Sequence, residues 1–274
     1  MTLLLVLRYV SHLKAEGYSF YSRRHRLVMV RRATRMAASY GFADPLAGMV
    51  VDRSEARAEP EAWTLEELIT GLRALVEEKH ERALAATALG GLLGLRSSEI
   101  FRVRVGDVGA EVVRVGARER KNAASRRDLP IPRVVRPWLE ALREGRRSPE
   151  APLLLTRYRR PGPFTADTFG HWLGPILARV TGRALPPKCL RKTFATWALE
   201  AGLDEYRVEA WLGHRAGNVA GVTSRHYLAI IRGRKLQELA AQIDAIVAPL
   251  LAGAPPAATR VPATPSASVR SDAG

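Results

Sequence analysis

The residues best suited to chemistry gather between Pro187 and Tyr227: Lys188, Arg191, His214, Arg225, His226 and Tyr227. Lys188 and Arg191 stand three positions apart, so at a helix start they project to one side. Guanidinium and ammonium groups neutralise the non-bridging oxygens of a phosphodiester, and a phenolic oxygen is a competent nucleophile toward its phosphorus. Cations beside a tyrosine therefore point to phosphodiester chemistry. Apolar residues at helical spacing separate them: Leu190, Phe194, Trp197 and Ala198, then Val208, Trp211 and Leu212. Such a segment buries one face and holds its polar side chains toward a groove. The stretch has a second tyrosine, Tyr206, but it precedes Leu212-Gly213-His214 in an amphipathic helix, and Tyr227 is the preferred nucleophile.

Two upstream pieces add cations. Glu81–Gly94 is apolar and reads as a buried helix that delivers Arg96 in the run GLRSSEI, Gly94–Ile100. Taken alone, Arg96 pairs with Glu99 or another nearby carboxylate. Further on, Val112, Val113 and Val115 are strand-like and are followed by GARERKNAASRRDLPIP, which reads as a β-hairpin with a basic, small-residue loop. Lys121 sits on it among Arg118, Arg120, Arg126 and Arg127. A solvated hairpin lysine is the plain account of it. Lysine is scarce, however, with Lys14, Lys79, Lys121, Lys188, Lys192 and Lys235 the only ones among 43 basic residues. A buried lysine shifts its pKa and releases a proton, which arginine does not.

In order and type, CLRKTFAT followed by LGH and HY resembles the C-terminal signature of the tyrosine recombinases, also called the phage integrase family, and GLRSSEI resembles that family's first arginine motif. The resemblance spans roughly the last two thirds of the chain. It implies a site-specific recombinase or integrase that cleaves and rejoins DNA through a 3′-phosphotyrosine. Tyr227 is then the nucleophile, Arg96 and Arg191 hold the non-bridging oxygens, Lys121 protonates the leaving 5′ oxygen, and His214 bonds the phosphate. Lys188 stands where most of the family has histidine and resembles the lysine of some archaeal virus and plasmid integrases; it either assists proton transfer from Tyr227 or binds phosphate. The interval from His214 to Tyr227 is longer than the family usually shows. The same chemistry admits a type IB topoisomerase, and a DNA-binding protein with a degenerate site is the non-enzymatic alternative. Fixed cations supply what Mg²⁺ supplies elsewhere, so no metal or other cofactor is expected, and no ATP. The sequence has no carboxylate cluster near the motifs and no GxxxxGK[ST] loop.

These side chains need a scaffold, and 274 residues suffice for one large domain or two small ones. A net charge of +16 and a pI near 10.9 favour a polyanionic partner, double-stranded DNA before an acidic membrane. Cys189 is the only cysteine, which excludes an internal disulfide and suits a reducing, cytoplasmic home. No zinc-type spacing, signal peptide or bilayer-length apolar run is evident, the longest weakly polar run being Ala83–Leu95.

Periodicity predicts a helix over residues 2–16, with Leu3, Leu7, Val10 and Leu13 inward, and another over 20–40, with Leu27, Val30, Ala37 and Tyr40 inward. The second helix carries Arg23, Arg24, Arg26, Arg31, Arg32 and Arg35. Ten basic and four acidic residues from Met1 to Ala58 leave +6 there, and Arg23, Arg24, Arg31 and Arg35, with Arg118, Arg120 and Arg126 of the hairpin, are the candidate DNA-backbone contacts. By resemblance, residues 1–58 are a shortened helical core-binding domain. The polar stretch Asp52–Glu61 reads as a linker, residues 62–251 as the catalytic domain and residues 252–274 as a disordered tail. Thr64 and Glu67 form a capping-box pattern at the first catalytic-domain helix. Further helices are predicted over 135–144 (Val135, Trp138, Leu139 and Leu142 inward), 165–180 (Phe169, Trp172 and Ile176 inward) and 232–251. The last has a stripe of Leu236, Leu239, Ile243, Ile246 and Leu250 that packs on its own domain or, as in many family members, docks on a neighbouring protomer. The expected assembly is a homo-tetramer on paired DNA sites. The expected fold class is mainly α with a small β-hairpin, without membrane association.

Overall fold

A computed structural model of the chain describes residues 3–47, 61–116, 126–144, 146, 148–156, 161–213 and 222–253, the side chains of 222–232 excepted. It divides into two compact units, Met1–Pro60 and Glu61–Gly274.

The first unit holds α1 (Leu3–Ala15) and α2 (Phe20–Ala38). Ser19 caps α2, its hydroxyl accepting the Ser22 N–H at 3.3 Å. Val6, Leu27 and Leu46 are buried together, with Val10 and Val30 packed against them. This corrects two expected faces. Leu3 and Leu7 are about half exposed, and α1 turns Val6 inward beside the expected Val10 and Leu13. Tyr40 lies beyond the end of α2 and is exposed, and the buried partner of Leu27 on that helix is Thr34.

The second unit begins with α3 (Leu65–Glu77) and α4 (Glu81–Gly91). The capping box is formed: Thr64 Oγ1 accepts the Glu67 N–H at 3.2 Å, and Glu67 Oε2 accepts the Thr64 N–H at 2.7 Å. A single turn, α5 (Ser97–Ile100), follows, then the antiparallel strands β1 (Val112–Val115) and β2 (Arg127–Pro130), paired from Val112↔Pro130 to Val115↔Arg127. The remaining helices are α6 (Arg136–Arg143), α7 (Ala166–Thr181), α8 (Cys189–Glu200), α9 (Glu205–Leu212) and α10 (Val222–Leu251). The fold is mainly α with one small sheet, as expected. On α7 the fully buried row is Phe169, Leu173, Leu177 and Val180, while Trp172 and Ile176 are only partly covered.

One apolar core runs through this unit from Trp63 to Leu250. Its centre is the packing of α8 on α4, where Gly90 lets the helices close: a Cβ there would sit 2.7 Å from Leu190 Cβ. Leu190, Phe194, Trp197, Ala198, Val208, Trp211 and Leu212 are all buried, as their spacing predicts. Polar ties fix the orientation. Trp197 and Trp211 donate their indole N–H groups to the Gly91 and Leu93 carbonyls, each at 2.8 Å, and the Trp63 N–H donates to Thr193 Oγ1 of α8 at 3.0 Å.

The last helix differs from expectation in where it starts. It starts ten residues before the predicted 232, so Tyr227 lies within it. Its stripe of Leu236, Leu239, Ile243 and Leu250 is buried in this unit's own core with Val247. This is the first of the two expected roles for the stripe, packing on its own domain, with Ile246 partly covered. Asp244 fastens the helix further, accepting the Arg133 and Val134 N–H groups at 2.8 and 3.0 Å. Within the tail, Ala252 and Gly253 close this helix and residues 254–274 lie outside the described residues.

Candidate active site

Three motif segments meet at the end of α4. Leu89 to Leu95 are buried, and Gly94 turns the chain with φ +66°, a left-handed conformation that suits glycine. Beyond the turn, Arg96 caps α5, and the Glu99 carboxylate reaches back to accept its N–H at 2.8 Å. The Arg96 guanidinium also donates to Glu99, Nη1 to Oε1 at 2.8 Å, with the Arg96 side chain 41% exposed. This is the expected Arg96–Glu99 pair, but Glu99 serves more than one arginine.

The Glu99 side chain is 1% exposed. Arg127, the first residue of β2, sets its fork against both carboxylate oxygens, Nη1 to Oε1 at 3.1 Å and Nη2 to Oε2 at 3.2 Å. Its Nε donates to the Trp211 carbonyl at 2.8 Å. Arg191, in the first turn of α8, donates Nη1 to the Gly94 carbonyl at 2.9 Å and Nη2 to the Leu212 carbonyl at 2.7 Å, and its Nη1 lies 3.7 Å from Glu99 Oε2. The end of α9 thus gives two carbonyls, of Trp211 and Leu212, to two guanidinium groups. Cations belong there, because the last carbonyls of a helix lack intrahelical partners and carry its negative dipole end.

The electrostatics follow from burial and neighbours. Burial alone would push the Glu99 carboxyl up, but the Arg127 hydrogen bonds and charge, with the N–H and charge of Arg96, hold it below the usual carboxylate range. Arg191 is lowered to about 10, first by burial and then by repulsion from Arg96 and Arg127, with Glu99 acting in the opposite sense. Three guanidinium groups and one carboxylate leave two net positive charges in a mostly buried cluster.

Arg96 and Arg191 are therefore brought together, as expected. Lys188 stands exposed at the N-terminus of α8, one turn before Arg191. Tyr227 is placed by backbone only, on the second turn of α10. His214 and Lys121 lie outside the described residues, as do Arg118 and Arg120. Gly213, at φ +71°, ends α9 immediately before His214, and β1 and β2 converge on the segment that holds Lys121. Arg126 is exposed ahead of β2. Arg23, Arg24, Arg31 and Arg35 all lie on α2, the first three half-buried and Arg35 exposed, and Arg23 donates to the Tyr18 carbonyl at 2.9 Å. Cys189 is partly buried, which pushes its thiol pKa up and makes it a poor nucleophile. Among the described residues no helix is long and apolar enough to cross a membrane.

Sequence reasoning named Arg127 only as a basic neighbour of Lys121. The signal for it was strand alternation: Arg127 shares a face with the buried Leu129 and Ile131, whereas Arg126 and Asp128 point the other way.

Known proteins place this arrangement. The model of the phage integrase family matches residues 64–229. Tyrosine recombinase XerA of Thermococcus kodakarensis is 30% identical over 246 residues, covering 88% of this chain and 83% of the relative. XerA of Pyrococcus furiosus is 26% identical over 222 residues, 80% of this chain and 74% of the relative. Among solved structures, the Tn1549 transposon integrase in complex with transposon right end DNA superposes with a TM-score of 0.63 at 18% identity, over 84% of this chain and 85% of that one. A lambda integrase dimer bound to a COC′ core site gives 0.61 at 13% identity, over 81% of each. These two share the fold. The family match begins at the Thr64 cap, takes in the Arg96 turn, the strand pair and the Arg191 helix, and ends two residues past Tyr227, so this chain belongs to the phage integrase family, the tyrosine recombinases.

Proposed function

We propose that the protein is a site-specific DNA recombinase that cleaves and rejoins double-stranded DNA through a 3′-phosphotyrosine on Tyr227. The observation that carries the reading is the cluster of Arg96, Arg127 and Arg191 around Glu99. A phosphodiester carries one negative charge, and attack by a phenolate raises this to two as the pentacoordinate transition state forms. A preset surplus of two positive charges is matched to that state rather than to the ground state, which is the condition for acceleration. Arg127 and Glu99 neutralise each other, so the surplus resides on Arg96 and Arg191, the two assigned to the non-bridging oxygens.

The assigned steps balance without a cofactor. Tyr227 loses its phenolic proton and bonds to phosphorus, the bond to the 5′ oxygen breaks, and Lys121 gives that oxygen a proton. Religation reverses each transfer. His214 donates to a non-bridging oxygen, and Lys188 neutralises phosphate charge or takes the phenolic proton. The phosphodiester energy is retained in the covalent link, so ATP has no role. Residues 1–58 act as the core-binding domain, with the α2 arginines on the DNA backbone, and protomers assemble as a tetramer on paired sites.

The test uses a supercoiled plasmid carrying two copies of the DNA that flanks the gene. Recombinant products support the reading, relaxation alone means a topoisomerase, and binding alone means a degenerate site. Tyr227→Phe is expected to abolish covalent adducts and leave gel-shift affinity within about threefold, equivalent to less than about 1 kcal/mol. Adducts that persist would show that another nucleophile acts.

A further inference from the structure

We infer that Arg127 is a positioning residue for this reaction, acting through Glu99 and the end of α9 on the two phosphate-holding arginines. The proposal rests on the assignment of Arg96 and Arg191 to the scissile phosphate.

Arg127 is buried where Arg96 is not: its side chain is 7% exposed, against 41% for Arg96. A buried guanidinium is costly and persists only with full compensation. Here the compensation connects three separate segments. The strand β2 supplies the guanidinium, the Arg96 turn supplies both Glu99 oxygens, and α9 supplies the Trp211 carbonyl. The adjacent Leu212 carbonyl holds Arg191. Arg127 is thus one bond removed from Arg96 through Glu99 and one residue removed from the Arg191 acceptor through α9.

Its position on the sheet fits this task. The ladder has four residue pairs, one of them ending on Pro130, which has no N–H to donate. A two-stranded ribbon of that length has little independent stability. The Val115↔Arg127 pair is its last rung before the connecting loop, so the Arg127 fork clamps the loop end of the ribbon to the site. A planar fork fixes angle as well as distance. Lysine, a single point of charge, would satisfy one acceptor and leave the orientation free.

The experiment measures single-turnover strand cleavage and gel-shift Kd on a duplex that the wild type cleaves. The same duplex is then used with a methylphosphonate at the scissile position, which replaces one charged oxygen by methyl. The variants are Arg127→Gln, Arg127→Lys and, as a control on the underlying reading, Arg191→Ala. On the ordinary duplex, Arg127→Gln should keep Kd within about threefold and cleave more slowly by tenfold or more, as small misplacements of reacting groups produce. Arg127→Lys should fall between it and the wild type. With less charge to neutralise, the methylphosphonate duplex should narrow the gap between wild type and Arg127→Gln, as it does for Arg191→Ala. If Arg127→Gln cleaves at the wild-type rate, the proposal is overturned. It is also overturned, alone, if the methylphosphonate narrows the Arg191→Ala defect and leaves that of Arg127→Gln unchanged, since a plain structural staple gives that pattern. If neither gap narrows, the assignment of Arg191 to the phosphate falls and takes the proposal with it. Should Arg127→Gln not fold, Arg127→Lys carries the same comparison.

Discussion

Gly94 is where a one-carbon change should be felt both in stability and at the site. Its φ of +66° is left-handed, which costs an L-residue about 1–2 kcal/mol. A Cβ built there would lie 2.6 Å from Phe194 Cδ1 and 2.7 Å from Leu212 Cδ2, and both neighbours are buried. Overpacking of that kind adds about 1–3 kcal/mol. Gly94→Ala is therefore expected to destabilise the protein by about 2–5 kcal/mol, and at about 2–4 °C per kcal/mol for a unit of this size the melting midpoint falls by roughly 4–20 °C. The functional effect has a separate cause. The Gly94 carbonyl and the Leu212 carbonyl both accept from Arg191, and the new methyl pushes on both residues. Cleavage should fall even at a temperature where the variant is fully folded.

Gly182 provides the control. It is also left-handed, at φ +74°, but nothing lies within 4 Å of a Cβ there. Gly182→Ala should show the backbone strain alone, about 1–2 kcal/mol, with cleavage intact. Thermal unfolding followed by circular dichroism reads the first quantity, and single-turnover cleavage 15 °C or so below the lower midpoint reads the second. The reasoning is refuted if the two alanine variants melt together, or if Gly94→Ala cleaves at the wild-type rate.

The remaining predictions concern charge and anchoring. Because the folded-state pKa of Glu99 is lowered, its contribution to stability is present above the ordinary carboxylate value of about 4.3 and is lost as pH falls through the lower folded value. Urea unfolding of the wild type should therefore lose stability below about pH 4 more steeply than that of Glu99→Gln; parallel curves would mean that the arginines do not hold this carboxylate ionised. Asp244 accepts two N–H groups ahead of α6, so Asp244→Ala should cost about 1 kcal/mol, as loss of a helix cap does, read as a fall of about 2–4 °C in the midpoint.

The scaffold around α8 and α9 was legible because a 3.6-residue period and a run of bulky apolar residues demand the same faces. The Arg96–Glu99 pair was legible for a related reason, since three residues apart at a helix start is a local geometry. Arg127 escaped because its partners are 28 and 84 positions away, and residue type does not separate it from Arg126. The alternation of β2 held the hint. A run of leucines has several equivalent faces, so periodicity turns Leu3 and Leu7 inward, whereas packing with Leu27 and Leu46 buries Val6. The early start of α10 was hidden by the polar Ser224-Arg225-His226, which interrupts the apolar period without breaking the helix. The left-handed Gly94 was similarly opaque: its need for glycine arises from Phe194 and Leu212, which belong to other helices.

The division of labour between arginine and lysine in this chain has a physical basis in Arg191. Its surroundings lower its pKa to about 10, yet at neutral pH it stays charged. The same burial and repulsion would lower a lysine from an already lower starting value, so its charge would be less secure. A position that must remain cationic beside two other cations therefore requires a guanidinium. A position that must release a proton during turnover requires the opposite property. In a sequence with 43 basic residues and only six lysines, arginine at 96, 127 and 191 suits a fixed field, and the proton-transfer role proposed for Lys121 suits a lysine.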